Sequence, residues 1–157
     1  MMAVIKLLEE EIIDKETEAN YAFYTTLKDT MGLHCHDFFE FFLVTKGKVK
    51  HHVNHEEQIL GEGALVFVRP EDAHYYLPFE EFSCSFINLA FSKHLIESLF
   101  YYLGDQFPSE VFLNSKNPPV VVLSKVDKEI LKSKLESLNL IALRDRLAKR
   151  SEIRTLI

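Results

Sequence analysis

The sequence contains few cysteines, prolines and glycines and no tryptophan. Its 157 residues include 2 cysteines, 5 prolines and 5 glycines. Two cysteines are too few for a disulfide framework, and the low proline and glycine content excludes collagen-like and low-complexity chains. No apolar run approaches the roughly 18 residues of a membrane span. Because residues 9–11 are all glutamate where a signal peptide would stay apolar, we expect a cytoplasmic protein without a membrane partner.

The charge balance is acidic and argues against a broad surface for nucleic acid. Lysine and arginine together number 18, and aspartate and glutamate number 24, which gives a net charge of −6. Phosphate backbones are bound by clustered basic side chains, which this composition does not supply. With 47 % hydrophobic residues, the chain is neither disordered nor fibrous. These values predict one globular domain that does not itself hold DNA.

The chain divides into a strand-like part and a helix-like part. Residues 20–91 are short apolar runs separated by a turn signal about every eight to twelve residues, which is typical of an antiparallel sandwich or barrel. Residues 92–157 show helical periodicity instead. We therefore predict an antiparallel sandwich or barrel over residues 1–91 and a helical tail over residues 92–157.

One strand is expected to be buried on both of its faces. Phe38, Glu40 and Phe42 share one face of the run at residues 38–45, and the apolar residues between them share the other. A strand that is apolar on both faces lies at the centre of a sandwich rather than at its surface. Asn54 and His55 then occupy a two-residue hairpin turn, since asparagine tolerates a positive φ.

Two main helices are predicted in the tail. The first runs from Ser92 as its N-cap to Leu103, where Gly104 provides a stop. The second begins near Ser124 and continues without glycine or proline to Ile157. That end carries no helix stop signal, so we expect the natural protein to continue beyond residue 157.

The segment from His34 to Glu40 carries the most specific chemical signal. His34, His36 and Glu40 are spaced so that all three project from one face of a strand. Two imidazoles and a carboxylate on one side outline a site for Zn, Ni, Fe or Mn, and His74 is placed to add a fourth ligand. A buried Glu40 without a cation would carry a large desolvation cost. The alternative is a pocket in which these groups hydrogen-bond a ligand directly.

The same residues resemble the first cupin motif. The positions that match it are Gly32, His34, His36, Glu40 and Gly47. This resemblance implies a mainly β fold, an antiparallel cupin double-stranded β-helix (jelly-roll barrel) followed by C-terminal α-helices. It also implies a divalent metal ion whose ligands are His34, His36, Glu40 and His74.

The second cupin motif is only partly present. Gly63 and His74 match it, but Arg69 and Glu71 stand at its usual proline and glycine positions. Pro78 stands where an asparagine is usual. The expected ligand set therefore depends mainly on the first motif.

The resemblance extends to a family of regulators. Residues 33–44, 61–68 and 87–92 are similar to the N-terminal domain of AraC-family transcription regulators, and most similar to the chitobiose-operon repressor type. The resemblance implies an effector-sensing and dimerisation domain that takes a small, sugar-like ligand and forms a homodimer. It also implies that DNA is bound through a C-terminal helix-turn-helix domain that this chain does not contain.

Two sets of residues are candidates for contacts. The ligand-binding candidates are a histidine that would line the pocket, an arginine that would hold an anionic group with two nitrogen atoms, an aromatic ring and an amide: His51, Arg69, Tyr76 and Asn88. For each of them, ordinary packing or surface exposure is the alternative. The dimer-interface candidates form one apolar seam, which could instead pack on the barrel: Leu131, Leu135, Leu138 and Ile141.

A second function stays open from the sequence alone. Cupins with the same ligand set act as dioxygenases or isomerases, in which the metal serves as Lewis acid or oxygen activator. A stand-alone metal-dependent cupin enzyme is therefore the alternative to the sensor. We assign no catalytic residue and favour the sensor, because of its regulator-like flanking segments and its long C-terminal helix.

Overall fold

The computed structural model describes residues 3–81, 83–141 and 145–157, which form two facing β-sheets followed by helices. A 3-10 turn at Leu27–Asp29 lies between the second and third strands. The elements in chain order are β1 (Ile5–Leu7), α1 (Glu9–Ile12), β2 (Ala19–Tyr24), β3 (His34–His36), β4 (Phe39–Val53), β5 (Glu56–Gly61), β6 (Ala64–Val68), β7 (His74–Pro78), β8 (Cys84–Phe91), α2 (Lys93–Leu103), α3 (Ser109–Asn114), β9 (Val120–Val122), α4 (Lys125–Leu140) and α5 (Arg146–Leu156).

Strand β4 belongs to both sheets. Its first half pairs with β8 and β6 in the first sheet, which has the order β2-β8-β4-β6-β9. Its second half pairs with β5 and β7 in the second sheet, which has the order β1-β3-β7-β4-β5. The β1–β3 pair is parallel and the other pairs are antiparallel. The structure thus confirms a mainly β barrel followed by helices, with one parallel pair that the sequence analysis did not predict.

Gly47 lies where β4 passes from one sheet to the other. The pairing register with β8 shifts between Val44 and Lys46, and Gly47 has a φ of +77°. A Cβ at Gly47 would lie 1.8 Å from the carbonyl oxygen of Ser83. This combination of a left-handed backbone and a close approach requires glycine, which explains the last residue of the first cupin motif.

The predicted hairpin is confirmed. Asn54 and His55 connect β4 to β5 with φ values of +50° and +70°. Positive φ at both central residues is the requirement of a type I′ turn. The turn fixes the register of the two strands, so that Val53 faces Glu56 and His51 faces Gln58.

The two faces of β4 are both buried, as predicted, and they enter different cores. Phe42 and Val44 point between the two sheets, where they pack with residues of β6, β7 and β8. Phe39 and Leu43 point away from the barrel, where they pack with the helices. We refer to these two sides as the inner face and the outer face of the first sheet.

The predicted caps of α2 are confirmed. The Ser92 hydroxyl accepts a hydrogen bond from the Leu95 backbone N–H at 3.1 Å, and Gly104 ends the helix with a φ of +70°.

None of the described helices is both long and apolar enough to cross a membrane.

The prediction of one helix from Ser124 to Ile157 was wrong. The chain forms α4 and α5 instead, and Asp145 caps the second of them through the Ala148 N–H. A continuous helix would place Ile153 about 22 Å beyond Leu138 at 1.5 Å per residue. With the break, both side chains enter the same core on the outer face.

The assignment of a dimer interface to the α4 seam requires correction. Leu135 and Leu138 are buried against the first sheet of their own chain, and Leu131 and Ile141 pack against the same core. Leu138 has no exposed surface, so a second copy of the chain cannot contact it in this structure. The segment 92–157 is also not purely helical, because β9 pairs with β6 at the edge of the first sheet.

Candidate functional site

A cavity of about 190 Å³ opens between the two sheets. Its lining comes from strands on opposite sides of the barrel, because β2 pairs with β8 while β3 pairs with β7. Aromatic rings and a few polar side chains share the wall. The lining residues with most bearing on its chemistry are Tyr24, His34, Phe38, Glu40, Tyr76, Phe86 and Asn88.

Backbone carbonyls set the tautomers of two histidines beside this cavity. The Nδ1 atom of His34 lies 2.8 Å from the Gly32 carbonyl oxygen, and the Nδ1 atom of His36 lies 2.7 Å from the Phe38 carbonyl oxygen. A carbonyl can only accept a hydrogen bond, so both Nδ1 atoms must carry the proton. The lone pair of each imidazole is therefore on Nε2.

Glu40 is a buried carboxyl group without a cationic partner among the described residues. Burial raises its pKa to about 7 from the ordinary 4.5, and a hydrogen bond with the Asn88 side chain lowers it in part. Its Oε1 atom has no hydrogen-bond partner in the described part of the chain. The nearest imidazole nitrogen is His36 Nε2, which lies 3.8 Å from Glu40 Oε2. A carboxylate placed in this way is stabilised when a cation binds beside it.

Three of the four predicted metal ligands come together. One ligand atom each from His36, Glu40 and His74 lies within 4.8 Å of the others, and all three residues are buried. His34 lies beside the group, with its ring centroid 4.3 Å from that of His74 and 6.3 Å from that of His36.

The protonation states of these groups suit a divalent cation. Burial lowers the pKa of His36 to about 4 and that of His74 well below the ordinary 6.5. Both rings are therefore neutral at physiological pH, which is the form that binds metal. The Nε2 atoms of both residues are buried without a partner in the described structure. The chemistry of the donors and their orphaned atoms fits a metal ion.

Tyr76 and Asn88 lie where the sequence analysis expected ligand contacts. Both line the cavity, and both keep a polar atom without a partner among the described residues: the Tyr76 hydroxyl and the Asn88 amide oxygen. Buried polar atoms of this kind are costly unless something bonds to them. The two residues therefore present hydrogen-bonding groups to whatever occupies the cavity.

His51 is buried inside the barrel but does not line the cavity. Its Nδ1 atom lies 3.0 Å from Gln58 Oε1, and its Nε2 atom lies 3.1 Å from His74 Nδ1. It thus contacts a candidate metal ligand from behind. The prediction that His51 touches the effector is not supported by this position.

The prediction that Arg69 binds a ligand was wrong. Its guanidinium forms a bidentate ion pair with the buried Asp72, at 2.9 and 3.0 Å. Its Nη1 atom donates to the Phe112 carbonyl and, at 2.6 Å, to that of Ser115, beyond α3. Because these contacts engage its donors, Arg69 connects the loop before His74 to the helical segment. It does not line the cavity.

The sequence analysis missed two residues at or behind the site, Tyr24 and Gln58, although the predicted hairpin offered a signal for Gln58. Tyr24 lines the cavity because β2 pairs with β8, with Tyr24 opposite Phe86 and Ala22 opposite Asn88. Gln58 contacts His51 because the hairpin register places them opposite each other. Counting outward from the predicted turn would have found the second pair.

A second cavity of about 220 Å³ lies on the outer face of the first sheet. Its lining is apolar and comes from the sheet and from α2, α3, α4 and α5, including Phe67, Phe100 and Leu135. It therefore contains none of the side chains that could hold a metal ion or orient a polar ligand.

Comparison with known proteins identifies a family and a fold. A family model described as the AraC-like ligand binding domain matches residues 21–133. An apo variant of ToxT from Vibrio cholerae is similar with a TM-score of 0.63 and 12 % sequence identity, over 92 % of this chain and 55 % of that chain. Wild-type ToxT from Vibrio cholerae with a bound unsaturated fatty acid gives 0.58 and 14 %, over 87 % and 50 %.

A cupin protein from Bacteroides fragilis shows a more distant similarity. Its TM-score is 0.42 at 13 % identity, over 48 % of this chain and 64 % of that chain. No curated protein sequence matches the chain. The chain spans about half the length of the ToxT structures, and at these identities the structural matches inform the fold alone.

Proposed function

We propose, from the premise that this chain belongs to the AraC-like ligand-binding domain family, that it is the effector-sensing domain of a bacterial transcription regulator. The observation that carries the proposal is the cavity between the sheets, whose wall holds buried polar atoms without partners among the described residues. Such a regulator works in the cytoplasm. Binding of an effector shifts the population of conformations only through a difference in affinity between them.

The proposal includes a divalent metal ion held by His36, Glu40 and His74, with His34 beside them. One ligand atom of each of these three residues lies within 4.8 Å of the others, which supports the site. The Nε2 atoms of His36 and His74 are buried without a partner in the described structure, while their Nδ1 atoms contact the Phe38 carbonyl oxygen and His51. Imidazole and carboxylate ligands suit Zn, Ni, Fe or Mn. When bound, the cation would offset the charge of Glu40 and offer a coordination position to an oxygen atom of the effector.

The effector we propose is a small hydroxylated molecule of the sugar class. The cavity combines aromatic rings, on which a sugar ring can stack, with the polar atoms of Tyr76 and Asn88. Among the described residues that line it, none is lysine or arginine, and Glu40 supplies a carboxyl group. A fatty acid is bound to ToxT in its crystal structure, but the described lining of this cavity offers a carboxylate no lysine or arginine, so that only the proposed cation could hold it.

Homodimerisation is part of the proposal, but through a different face of α4. Val126 and Ile130 are 68 % and 52 % exposed and lie one turn apart, opposite the buried seam. If they contact a second copy, Ile130→Glu should lower the mass measured by light scattering from dimer to monomer. Val111→Glu, at an exposed position of α3, is the control that leaves the mass unchanged.

Any DNA contact is proposed to lie outside these 157 residues, whose net charge is −6.

The metal is tested by elemental analysis of purified protein. We expect about one Zn or other divalent ion per chain in the parent protein and in His94→Gln, since His94 is exposed on α2. His36→Gln should lose the ion, because His36 belongs to the ligand group and its Nε2 atom is buried without a partner in the described structure. Equal metal content in all three proteins would refute the site.

The effector class is tested by calorimetry of the metal-loaded protein. Mono- and disaccharides are titrated against the parent protein and Asn88→Leu, and an unsaturated fatty acid serves as the competing class. We expect a saccharide to bind the parent and to lose at least tenfold in affinity with Asn88→Leu, since one buried hydrogen bond is removed. Binding of the fatty acid alone would replace the sugar class, and turnover of a bound compound would favour the metal-dependent cupin enzyme.

A further inference from the structure

Three side chains form a hydrogen-bonded chain that ends at a proposed metal ligand. Gln58, on β5, lies opposite His51 on β4, with 3.0 Å between Gln58 Oε1 and His51 Nδ1. His51 Nε2 lies 3.1 Å from Nδ1 of His74, which is on β7. His51 and His74 have no exposed surface, whereas Gln58 is partly exposed.

Each contact in this chain has one donor and one acceptor, so the whole chain has a direction. When the Gln58 amide oxygen faces His51, it accepts from the His51 Nδ1–H. The lone pair of His51 is then on Nε2, which accepts from the His74 Nδ1–H. In this direction the lone pair of His74 is on Nε2, which is buried without a partner in the described structure. Since Nδ1 contacts His51, Nε2 is the atom left for the group with His36 and Glu40.

The opposite direction would remove His74 as a ligand. If the Gln58 amide nitrogen donated to His51 Nδ1, His51 Nε2–H would donate to His74 Nδ1, and the proton of His74 would reside on Nε2. That N–H would point at the site and could not bind a cation. The amide orientation at the surface thus decides the chemistry of an imidazole in the barrel.

We propose that Gln58 is a positioning residue which, through His51, holds His74 in the tautomer that offers Nε2 to the site. This inference rests on the proposed metal site and deepens it, since neither Gln58 nor His51 would touch the ion. The proton on His34 and His36 Nδ1 is fixed by nearby backbone carbonyls. His74 lacks such a carbonyl among the described contacts. Its Nδ1 atom contacts His51 instead, whose other ring nitrogen contacts Gln58.

The direct test reads the tautomer of His74 by nitrogen-15 NMR of the metal-free protein at pH 8. Long-range proton–nitrogen spectra distinguish a protonated from an unprotonated imidazole nitrogen. We expect Nδ1–H and an unprotonated Nε2 in the parent protein and in Gln58→Glu, whose carboxylate can only accept. Gln58→Met should give a mixture of tautomers. Gln106→Met, the same substitution at an exposed position, should match the parent.

A second measurement gives the consequence for binding. The Zn²⁺ affinity of Gln58→Met should fall by about 10- to 100-fold, as is common when the partner behind a ligating histidine is lost. Gln58→Glu should restore it, which a merely structural role for Gln58 would not predict. If Gln58→Met does not fold, Gln58→Lys, which can only donate, replaces it and should give Nε2–H on His74.

The outcomes separate this inference from the metal proposal. A His74 tautomer with Nε2–H in the parent, or one that stays unchanged in Gln58→Met, overturns the role of Gln58 whatever the metal content. Absence of Zn²⁺ binding in the parent with the expected tautomers refutes the metal site and leaves the hydrogen-bonded chain intact.

Discussion

The inner and outer faces of the first sheet are built from alternate residues of the same strand, yet they differ in what they leave unsatisfied. On the inner face, Glu40 lies between Phe38 and Phe42, and polar atoms around it have no partner in the described structure. On the outer face, Phe39 and Leu43 pack with apolar side chains of the helices. Apart from Glu40, the neighbouring residues of both faces are buried and apolar, including Phe42 and Val44 on one and Phe39 and Leu43 on the other.

This difference indicates where the binding energy of a ligand can come from. The outer face has already gained the free energy of burial against α2, α4 and α5, and it stabilises the fold. The inner face carries buried polar groups whose desolvation is not compensated within the described chain. A ligand or cation there would gain contacts that the folded chain has left open.

The largest expected effect is a loss of stability when the packing on the outer face is disrupted. Leu138→Asp places a carboxylate at a position with no exposed surface, and we expect the free energy of unfolding to fall by more than about 4 kcal/mol. The midpoint of urea unfolding measures it. Leu140→Asp, two residues along the same helix and 86 % exposed, should change the midpoint little. If Leu138→Asp folds and has half the mass of the parent protein, the original prediction that the α4 seam is a dimer interface would be correct.

The next effect concerns the connection between the barrel and the helical segment. Arg69→Met leaves Asp72 buried without its guanidinium partner, which costs about 3–5 kcal/mol of unfolding free energy. Arg146→Met removes ion pairs to Asp14 and Glu16 that are largely exposed, and it should cost less than about 1 kcal/mol. Similar losses in thermal unfolding of the two variants would show that the Arg69 pair is no more than a surface contact.

A third effect has the opposite sign and belongs to the inner face. The pKa of Glu40 is raised to about 7 in the folded protein against 4.5 when exposed, so the metal-free protein loses stability as pH rises from 4.5 through 7. At pH 8 the loss is about 3 kcal/mol at 1.36 kcal/mol per pKa unit. Glu40→Gln removes this loss and should stabilise the metal-free protein at pH 8 but not at pH 4.

The measurement is urea unfolding in the presence of a chelator across that pH range. Glu152→Gln, at an exposed position of α5, is the matched control and should follow the parent at every pH. Parallel curves for Glu40→Gln and the parent protein would mean that Glu40 is not held in a desolvated environment.

The smallest expected effect concerns the N-cap of α2, where β8 ends. Ser92→Ala removes the hydroxyl that accepts from the Leu95 N–H, and it should cost about 1 kcal/mol of unfolding free energy. Ser137→Ala, at an exposed position within α4, serves as the control and should cost less. No difference between the two serines would argue that α2 is held by packing on the outer face alone.

Local rules of the chain were sufficient for much of the fold. The alternation around Glu40 predicted both buried faces of β4, and Asn54 and His55 predicted the hairpin because few residues accept a positive φ. Ser92 and Gly104 predicted the ends of α2 in the same way. For the site, the spacing predicted that His36 and Glu40 lie together, and they do, but from two strands, β3 and β4, rather than from one face of a single strand.

The errors came from interactions between segments distant in sequence. Arg69 next to Pro70 resembles an anion-binding pair in sequence, but Asp72 and carbonyls at the C-terminal end of α3 engage its donors. The seam of Leu135 and Leu138 is equally suited to a partner or to the chain's own sheet. Apolar periodicity defines a face of a helix and carries no information about what covers it.

The sequence by itself determined the strand-rich first part of the chain and its turns, because strand alternation and turn geometry depend on neighbouring residues, and its resemblance to the cupin motifs indicated the imidazole and carboxylate groups of the site. Only the tertiary structure decided that α4 packs inward, that Arg69 is structural, and that Gln58 lies behind His74. The physical reason is that hydrogen-bond direction and burial depend on which strands and helices meet, and for Gln58, His51 and His74 that meeting joins three strands of one sheet.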